Sequence, residues 1–217
     1  MLNTIDLFAG CGGLTEGFKQ SGHFKMLAAV EWDKDAHATL RDRLMHAHGY
    51  KDAAKRCILA DIQDTKSLIH GKDADDEFPS HEGLDALVHD KKVDVIIGGP
   101  PCQAYSVAGR IRDENGMHED YRNYLFESYM AVVNHFKPAA CIFENVPGML
   151  SAAPGGISII ERISAAFKKS GYEISSNLKG QATLDVSEFG VPQKRKRVII
   201  AAFRRDLHEN PKNVVDQ

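Results

Sequence analysis

The sequence predicts an α/β fold: a doubly wound, mostly parallel sheet with helices on both faces. Three observations carry this. Short apolar runs alternate with stretches of helical periodicity along the 217 residues. Each run in the first two thirds ends in a chemically marked residue or loop, where open α/β sheets bind their ligands. The composition, 43% hydrophobic and 26% charged, is that of a chain that buries a core rather than a disordered or fibrous one.

Taken in order, Thr4–Phe8 reads as a strand that stops at Gly10, Gly12 and Gly13, with a short helix following to about Ser21. Met26–Val30 is a second strand, ending at Glu31. Asp33 can cap a helix whose Ala36, Leu40 and Leu44 stand on one face. Cys57–Ala60 is a third strand, ending at Asp61. Residues 64–91 interrupt the pattern with eight acids and three lysines, and read as a surface insertion with a short helix near Leu84–Val88. Val93–Ile97 is a fourth strand, ending at Gly98-Gly99-Pro100-Pro101. Tyr121–Phe136 carries a stripe of Leu125, Tyr129, Val132 and Phe136, closed by Pro138. Ala139–Phe143 is a fifth strand, ending at Glu144. Ile157, Ile160, Ile163 and Phe167 mark a helix stopped by Gly171, and Tyr172–Ser176 and Arg197–Phe203 complete the strands. The length suits one domain, 1–217.

Charge and cysteines exclude several classes. Net charge is −3, too acidic for a histone-like polycation. Residues 1–100 carry 12 basic and 17 acidic side chains, and residues 101–217 carry 15 and 13, so a nucleic-acid face would fall mainly in the second half. Cys11, Cys57, Cys102 and Cys141 form no disulfide framework and no CxxC. Ten histidines show no ligand spacing, so no metal site is expected. No apolar run is long enough to cross a membrane, the start MLNTIDLFAG has no secretory pattern, and a cytoplasmic protein is expected.

Four strings carry the chemistry. DLFAGCGG places Gly10, Gly12 and Gly13 between a strand and a helix, where backbone N–H groups can meet a ligand. Position 15 is Thr rather than a third fingerprint glycine, which favours a nucleoside over a dinucleotide. Glu31 is placed to accept from ribose hydroxyls. Trp32 either stacks on a purine or is a rim aromatic, and Asp61 either accepts from an adenine amino group or caps a helix. In GGPPCQAYS two prolines present Cys102 rigidly on a polar loop, the setting of a thiolate nucleophile. In FENVPG, Glu144 ends a buried strand, where a desolvated acid can hold a proton. In QKRKR, Arg195 and Arg197 alternate with Lys194 and Lys196, so one pair can face a site while the other faces solvent.

Together these strings closely resemble the cytosine-C5 DNA methyltransferases, in the family's order over about residues 3–203. The resemblance implies a fold that depends on S-adenosylmethionine, released as S-adenosylhomocysteine. It implies Phe8 as the adenine-stacking residue, with Gly10, Cys11, Gly12, Gly13, Glu31, Trp32, Asp61, Ile62, Pro100 and Leu125 around the cofactor. Cys102 becomes the nucleophile on cytosine C6, Glu144 the group at N3, and Arg197 with Arg195 the holders of O2. Gln103, Ser106, Asn145 and Gln193 fall to nucleic acid, the 98–122 loop closes over the base, and the base leaves the duplex stack. Double-stranded DNA is the implied substrate, with a restriction endonuclease as counterpart. The family's target-recognition region and last two motifs have no match in the 20 residues after QKRKR. A truncated part, one half needing a partner chain, or a gene remnant is therefore expected, the first favoured, with cofactor binding weakened or absent and little or no methylation alone. Two other readings stand beside it: a tRNA cytosine-C5 methyltransferase, and a non-catalytic nucleoside-binding scaffold.

Overall fold

The computed structural model describes residues 1–101, 125–153 and 156–207. The chain divides into two compact units, Met1–Gly98 with Ala131–Pro138, and Gly99–Met130 with Ala139–Gln217.

The first unit holds β1 (Leu2–Leu7), α1 (Gly13–Gln20), β2 (Phe24–Glu31), α2 (Lys34–His46), α3 (Ala53–Arg56), β3 (Cys57–Leu59), α4 (Thr65–His70), α5 (Gly83–Val88) and β4 (Val95–Gly98). Its strands lie in the order β3-β2-β1-β4, all parallel, because every connection is a helical crossover. Asp6 on β1 stands opposite Ala29 on β2 and Ile97 on β4. Ile5, Leu7, Leu27, Leu40, Leu44 and Ile96 are buried in its core. Asp33 caps α2 as its sequence suggests, with Oδ1 accepting from the N–H groups of Asp35 and Ala36.

Residues 64–91 are not a surface insertion throughout. They form α4 and α5, and Leu68 and Leu84 are completely buried. A bridge between Lys72 and His81 closes the acidic stretch onto itself. The eight acids dominate the composition, while five apolar side chains (Leu68, Ile69, Phe78, Leu84 and Val88) do the anchoring.

The second unit contains the start of α6 (Leu125–Phe136), then β5 (Ala140–Asn145), α7 (Ile159–Lys169), β6 (Tyr172–Ile174), α8 (Leu178–Gln181), β7 (Thr183–Asp185) and β8 (Lys196–Arg204). Here β8 runs antiparallel to β5, β6 and β7. The sheet is mostly parallel, as expected, and mixed: parallel throughout the first unit and antiparallel along β8. Tyr129, Phe143, Phe167 and Tyr172 pack edge to face, at centroid distances of 5.3–6.4 Å, and all four are buried. Along α7 the buried face is Ile159, Ile163 and Phe167, four apart, whereas Ile157 lies before the helix and is exposed. Among the described residues no helix is long and apolar enough to cross a membrane.

Candidate active site

In the first unit the loop after β1 turns sharply. Phe8, Gly10 and Gly12 all adopt positive φ, at 59°, 55° and 90°. For Gly12 the requirement is double: a Cβ there would lie 2.5 Å from Leu40 Cδ1. The loop is tied to the end of β2, since the Gly10 N–H donates to Glu31 Oε2 at 2.7 Å. Glu31 Oε1 accepts from the N–H groups of Trp32 and Asp33, at 2.9 and 2.8 Å. Three backbone donors fix this carboxylate at the strand end, and a carboxylate has lone pairs left for a hydroxyl.

Phe8 is half-buried, Gly12 is buried, and Cys11 and Gly13 are exposed. Trp32 is 54% exposed, so its indole is a rim aromatic with a face to offer rather than a core residue. Asp61, half-buried after β3, accepts from the Gln63 N–H at 2.9 Å in a local turn, and Ile62 behind it is buried. Among the described residues no group of three His, Cys, Asp or Glu side chains is placed to hold a metal ion.

Sequence reasoning passed over Asp6, the acid in the middle of an apolar strand. It is 1% exposed. Its Oδ2 accepts from Thr15 Oγ1 at 2.5 Å, while its Oδ1 is buried with no partner. Burial pushes this carboxyl up to about 7; the Thr15 hydrogen bond opposes the shift and the negative charge of Glu31 adds to it. Thr15, which stands where a dinucleotide fingerprint has glycine, is thus the residue that ties α1 back to β1. The signal was present in the sequence as a charged residue inside a buried run, the kind that folded chains keep only when it is paired or neutral.

The second unit gathers Pro100, Glu144, Asn145 and Arg197. Glu144 and Asn145 are the last two residues of β5, and Arg197 is the second of β8. Because the two strands are antiparallel, the start of β8 lies at the end of β5, with Asn145 opposite Val198. Arg197 Nε meets Glu144 Oε1 at 2.8 Å, both side chains partly exposed. Glu144 Oε2 lies where a Cβ on Gly99 would come within 2.9 Å, so the second glycine of GGPPC makes room for the acid. Asn145 is buried; its amide donates to the Pro100 carbonyl at 3.4 Å and its Oδ1 accepts from the Val146 N–H. Asn145 therefore ties the end of β5 to Pro100.

Arg195 is not brought to Glu144. It precedes β8, is exposed, and its backbone N–H donates to Asp185 Oδ1 at 3.2 Å. Gln193 is exposed nearby, and Leu125 is buried in the first turn of α6. Cys102, Gln103 and Ser106, with most of the 98–122 loop, lie outside the described residues.

Comparison with known proteins adds the family. The model of C-5 cytosine-specific DNA methylases matches residues 2–217. A Type II methyltransferase, M.Bpa9945I of Bacillus paralicheniformis, is 33% identical, over 94% of this chain and 54% of its own length. The Type II methyltransferase M.AgeI of Thalassovita gelatinovora is 36% identical, over 92% of this chain and 39% of its own. A candidate DNA modification methyltransferase from an E. coli prophage superposes with a TM-score of 0.66 at 25% identity, covering 95% of this chain and 48% of that one. The chain thus spans about half the length of the relatives it matches. With the glycine loop held by Glu31, and Glu144 held by Arg197, the chain belongs to the C-5 cytosine-specific DNA methylase family.

Proposed function

We propose that this chain carries the chemistry of a DNA cytosine-5 methyltransferase, as the catalytic part of a longer or two-part enzyme. The observation that carries the reading is the Glu144–Arg197 pair, 2.8 Å apart beside the Gly99-Pro100 turn. An acid and a guanidinium side by side match the N3 and O2 edge of a cytosine, which needs one hydrogen-bonding group able to exchange a proton and one fixed donor.

The residues of the first unit fit a nucleoside cofactor. Gly10 and Gly13 leave open space where a Cβ would stand, Glu31 retains acceptor capacity, and the Trp32 indole is exposed. Phe8, Asp61 and Ile62 take the roles that family likeness assigns them. Bound there, S-adenosylmethionine would supply an electrophilic methyl group on a sulfonium.

The protein's part is to make cytosine C5 nucleophilic. The Cys102 thiolate adds to C6, forming the S–C6 bond and moving the C5–C6 π electrons to C5. Glu144 stabilises the ring at N3 and Arg197 holds O2, so the adduct does not carry a full negative charge. C5 takes the methyl group. Loss of the C5 proton to a base then expels the thiolate and restores the ring. The base has to leave the duplex stack, because attack comes from above and below the ring plane. Sequence readout in the major groove would come from the part of the enzyme beyond this chain, or from a partner chain. A cognate restriction endonuclease belongs to the same reading.

The test is covalent trapping by the complete enzyme on duplex DNA carrying 5-fluorocytosine, which cannot lose a proton from C5. A complex stable to denaturant, absent for Cys102→Ala and absent with 5-fluorocytosine RNA, is the expected result. Trapping on RNA alone would move the assignment to tRNA, and undiminished turnover by Cys102→Ala would remove the mechanism.

A further inference from the structure

The buried acid beneath the glycine loop is not used by the chemistry above. We propose that Asp6 is the counter-charge of the cofactor loop, so that a cationic sulfonium nucleoside seated on Phe8–Gly13 drives one proton off this carboxyl. The inference rests on the reading that this loop holds S-adenosylmethionine.

Among the described residues, no cation is placed against Asp6. It is 1% exposed, its Oδ1 has no partner, and its only side-chain partner is the neutral hydroxyl of Thr15. The ionisable groups that reach it offer no positive charge. From β2 comes Glu31, which disfavours ionisation of Asp6. From β3 comes the Cys57 thiol, pushed up to about 12 by burial and, in smaller part, by Asp6 itself. Arg41 on α2 acts on Cys57. From β4 the neighbour is Ile97, and from α1 it is Thr15.

A carboxyl so placed keeps its proton to about pH 7 in the free protein. Two residues on, the chain enters the loop whose Gly10 N–H is bound to Glu31. A ligand bearing an ammonium and a sulfonium places positive charge against both acids. In a dry, low-dielectric setting that charge favours the ionised form of Asp6. Thr15 already supplies the hydrogen bond the carboxylate needs. Asp6 is therefore a positioning residue that reads the ligand's charge, and it favours the sulfonium substrate over the neutral thioether product.

The experiment is calorimetric titration of the complete enzyme with S-adenosylmethionine and with S-adenosylhomocysteine, from pH 5.5 to 7.5, in buffers of differing ionisation enthalpy. For wild type, affinity for the sulfonium form should rise by about tenfold per pH unit below the midpoint of Asp6 and level above it. About half a proton should be released at pH 7. The thioether should give a shallower slope. Asp6→Asn should bind with a flat profile after subtraction of the ligand's own titration. Thr15→Val, which removes the donor to the carboxylate, should move the break upward in pH, and Thr15→Ser should restore it. Equal slopes in wild type and Asp6→Asn would overturn the inference alone, as would identical slopes for the two ligands. Absence of binding by wild type at every pH would overturn the cofactor reading and this inference with it. Should Asp6→Asn fail to fold, the comparison of Thr15→Val with Thr15→Ser decides.

Discussion

Gly12→Ala isolates the demand the glycine loop makes on its sequence. Gly12 sits at φ 90° and ψ 28°, immediately before α1. Placing an L side chain there costs about 1–2 kcal/mol of backbone strain. The new Cβ would also lie 2.5 Å from Leu40 Cδ1. Leu40 is 1% exposed, in a cluster with Ala9, Met26, Ala29, Leu44, Tyr50, Ala53 and Cys57, so its methyl group cannot swing away without displacing neighbours. Overpacking of this kind costs about 1–3 kcal/mol. The substitution should therefore destabilise the chain by about 2–5 kcal/mol, read from urea unfolding followed by circular dichroism. Gly10→Ala provides the control, since its φ is 55° and a Cβ there meets nothing within 4 Å. It should show the backbone cost alone. The clash can be separated by a double-mutant cycle with Leu40→Ala, which by itself should cost about 2–5 kcal/mol. Because the truncated side chain no longer meets the new Cβ, the double mutant should be less destabilised than the sum by about 1–3 kcal/mol. Additivity within about 0.5 kcal/mol would refute the claim that Leu40 is what forbids a side chain at position 12.

Three further predictions concern the acids. Gly99→Ala would press on Glu144 Oε2 at 2.9 Å; because that atom is the end of a flexible side chain, the fold should survive, while turnover by the complete enzyme drops at least about tenfold with cofactor affinity unchanged. Asp6 has an ordinary carboxyl value of 3.8 and is held at about 7. The folded chain therefore keeps a proton that the unfolded chain loses between those values, and stability falls as pH rises through them by on the order of 4 kcal/mol. Urea unfolding at pH 5 and 7.5 should show about 3 kcal/mol of that fall in wild type and not in Asp6→Asn. Glu16 behaves oppositely. Hydrogen bonds from Arg43, His48 and Gln20 hold it down at about 2, so its contribution is present above 4.5 and fades as pH drops toward 2. Glu16→Gln should lower the thermal midpoint at pH 7, with a difference that narrows progressively below pH 4.5.

The sequence was most legible where one local rule decides one local outcome. Asp33 caps α2 because a short acceptor precedes a helical stripe, and Glu31, Asp61 and Glu144 all stand at or just after strand ends, where the apolar runs stop. It was least legible where partners are far apart in the chain. Nothing local says that Thr15 answers Asp6, or that Gly99 leaves room for Glu144 forty-five residues later. The segment 64–91 misled because charge is counted easily, whereas five apolar side chains are what bury it. Arg195 and Arg197 could not be separated by alternation alone. β8 begins at Lys196, so only Arg197 is held in register beside Glu144.

That register exposes a common device with two outcomes. Glu31 and Glu144 both terminate β-strands, yet they are held differently. Three backbone N–H groups converge on Glu31, and what remains to it is the ability to accept, which suits hydroxyl donors. Glu144 meets one guanidinium through Oε1, and Oε2 stands in the space that Gly99 leaves. Among the described residues that leaves Glu144 oriented through one oxygen, as the proposed exchange of a proton with a ring nitrogen requires. The difference arises from strand direction. At the end of β2 the next residues, Trp32 and Asp33, turn back and offer their own N–H groups, and the loop after the parallel β1 adds that of Gly10. At the end of β5 the antiparallel β8 offers a side chain instead, and a long one with a fixed fork of donors reaches the Oε1 of the carboxylate.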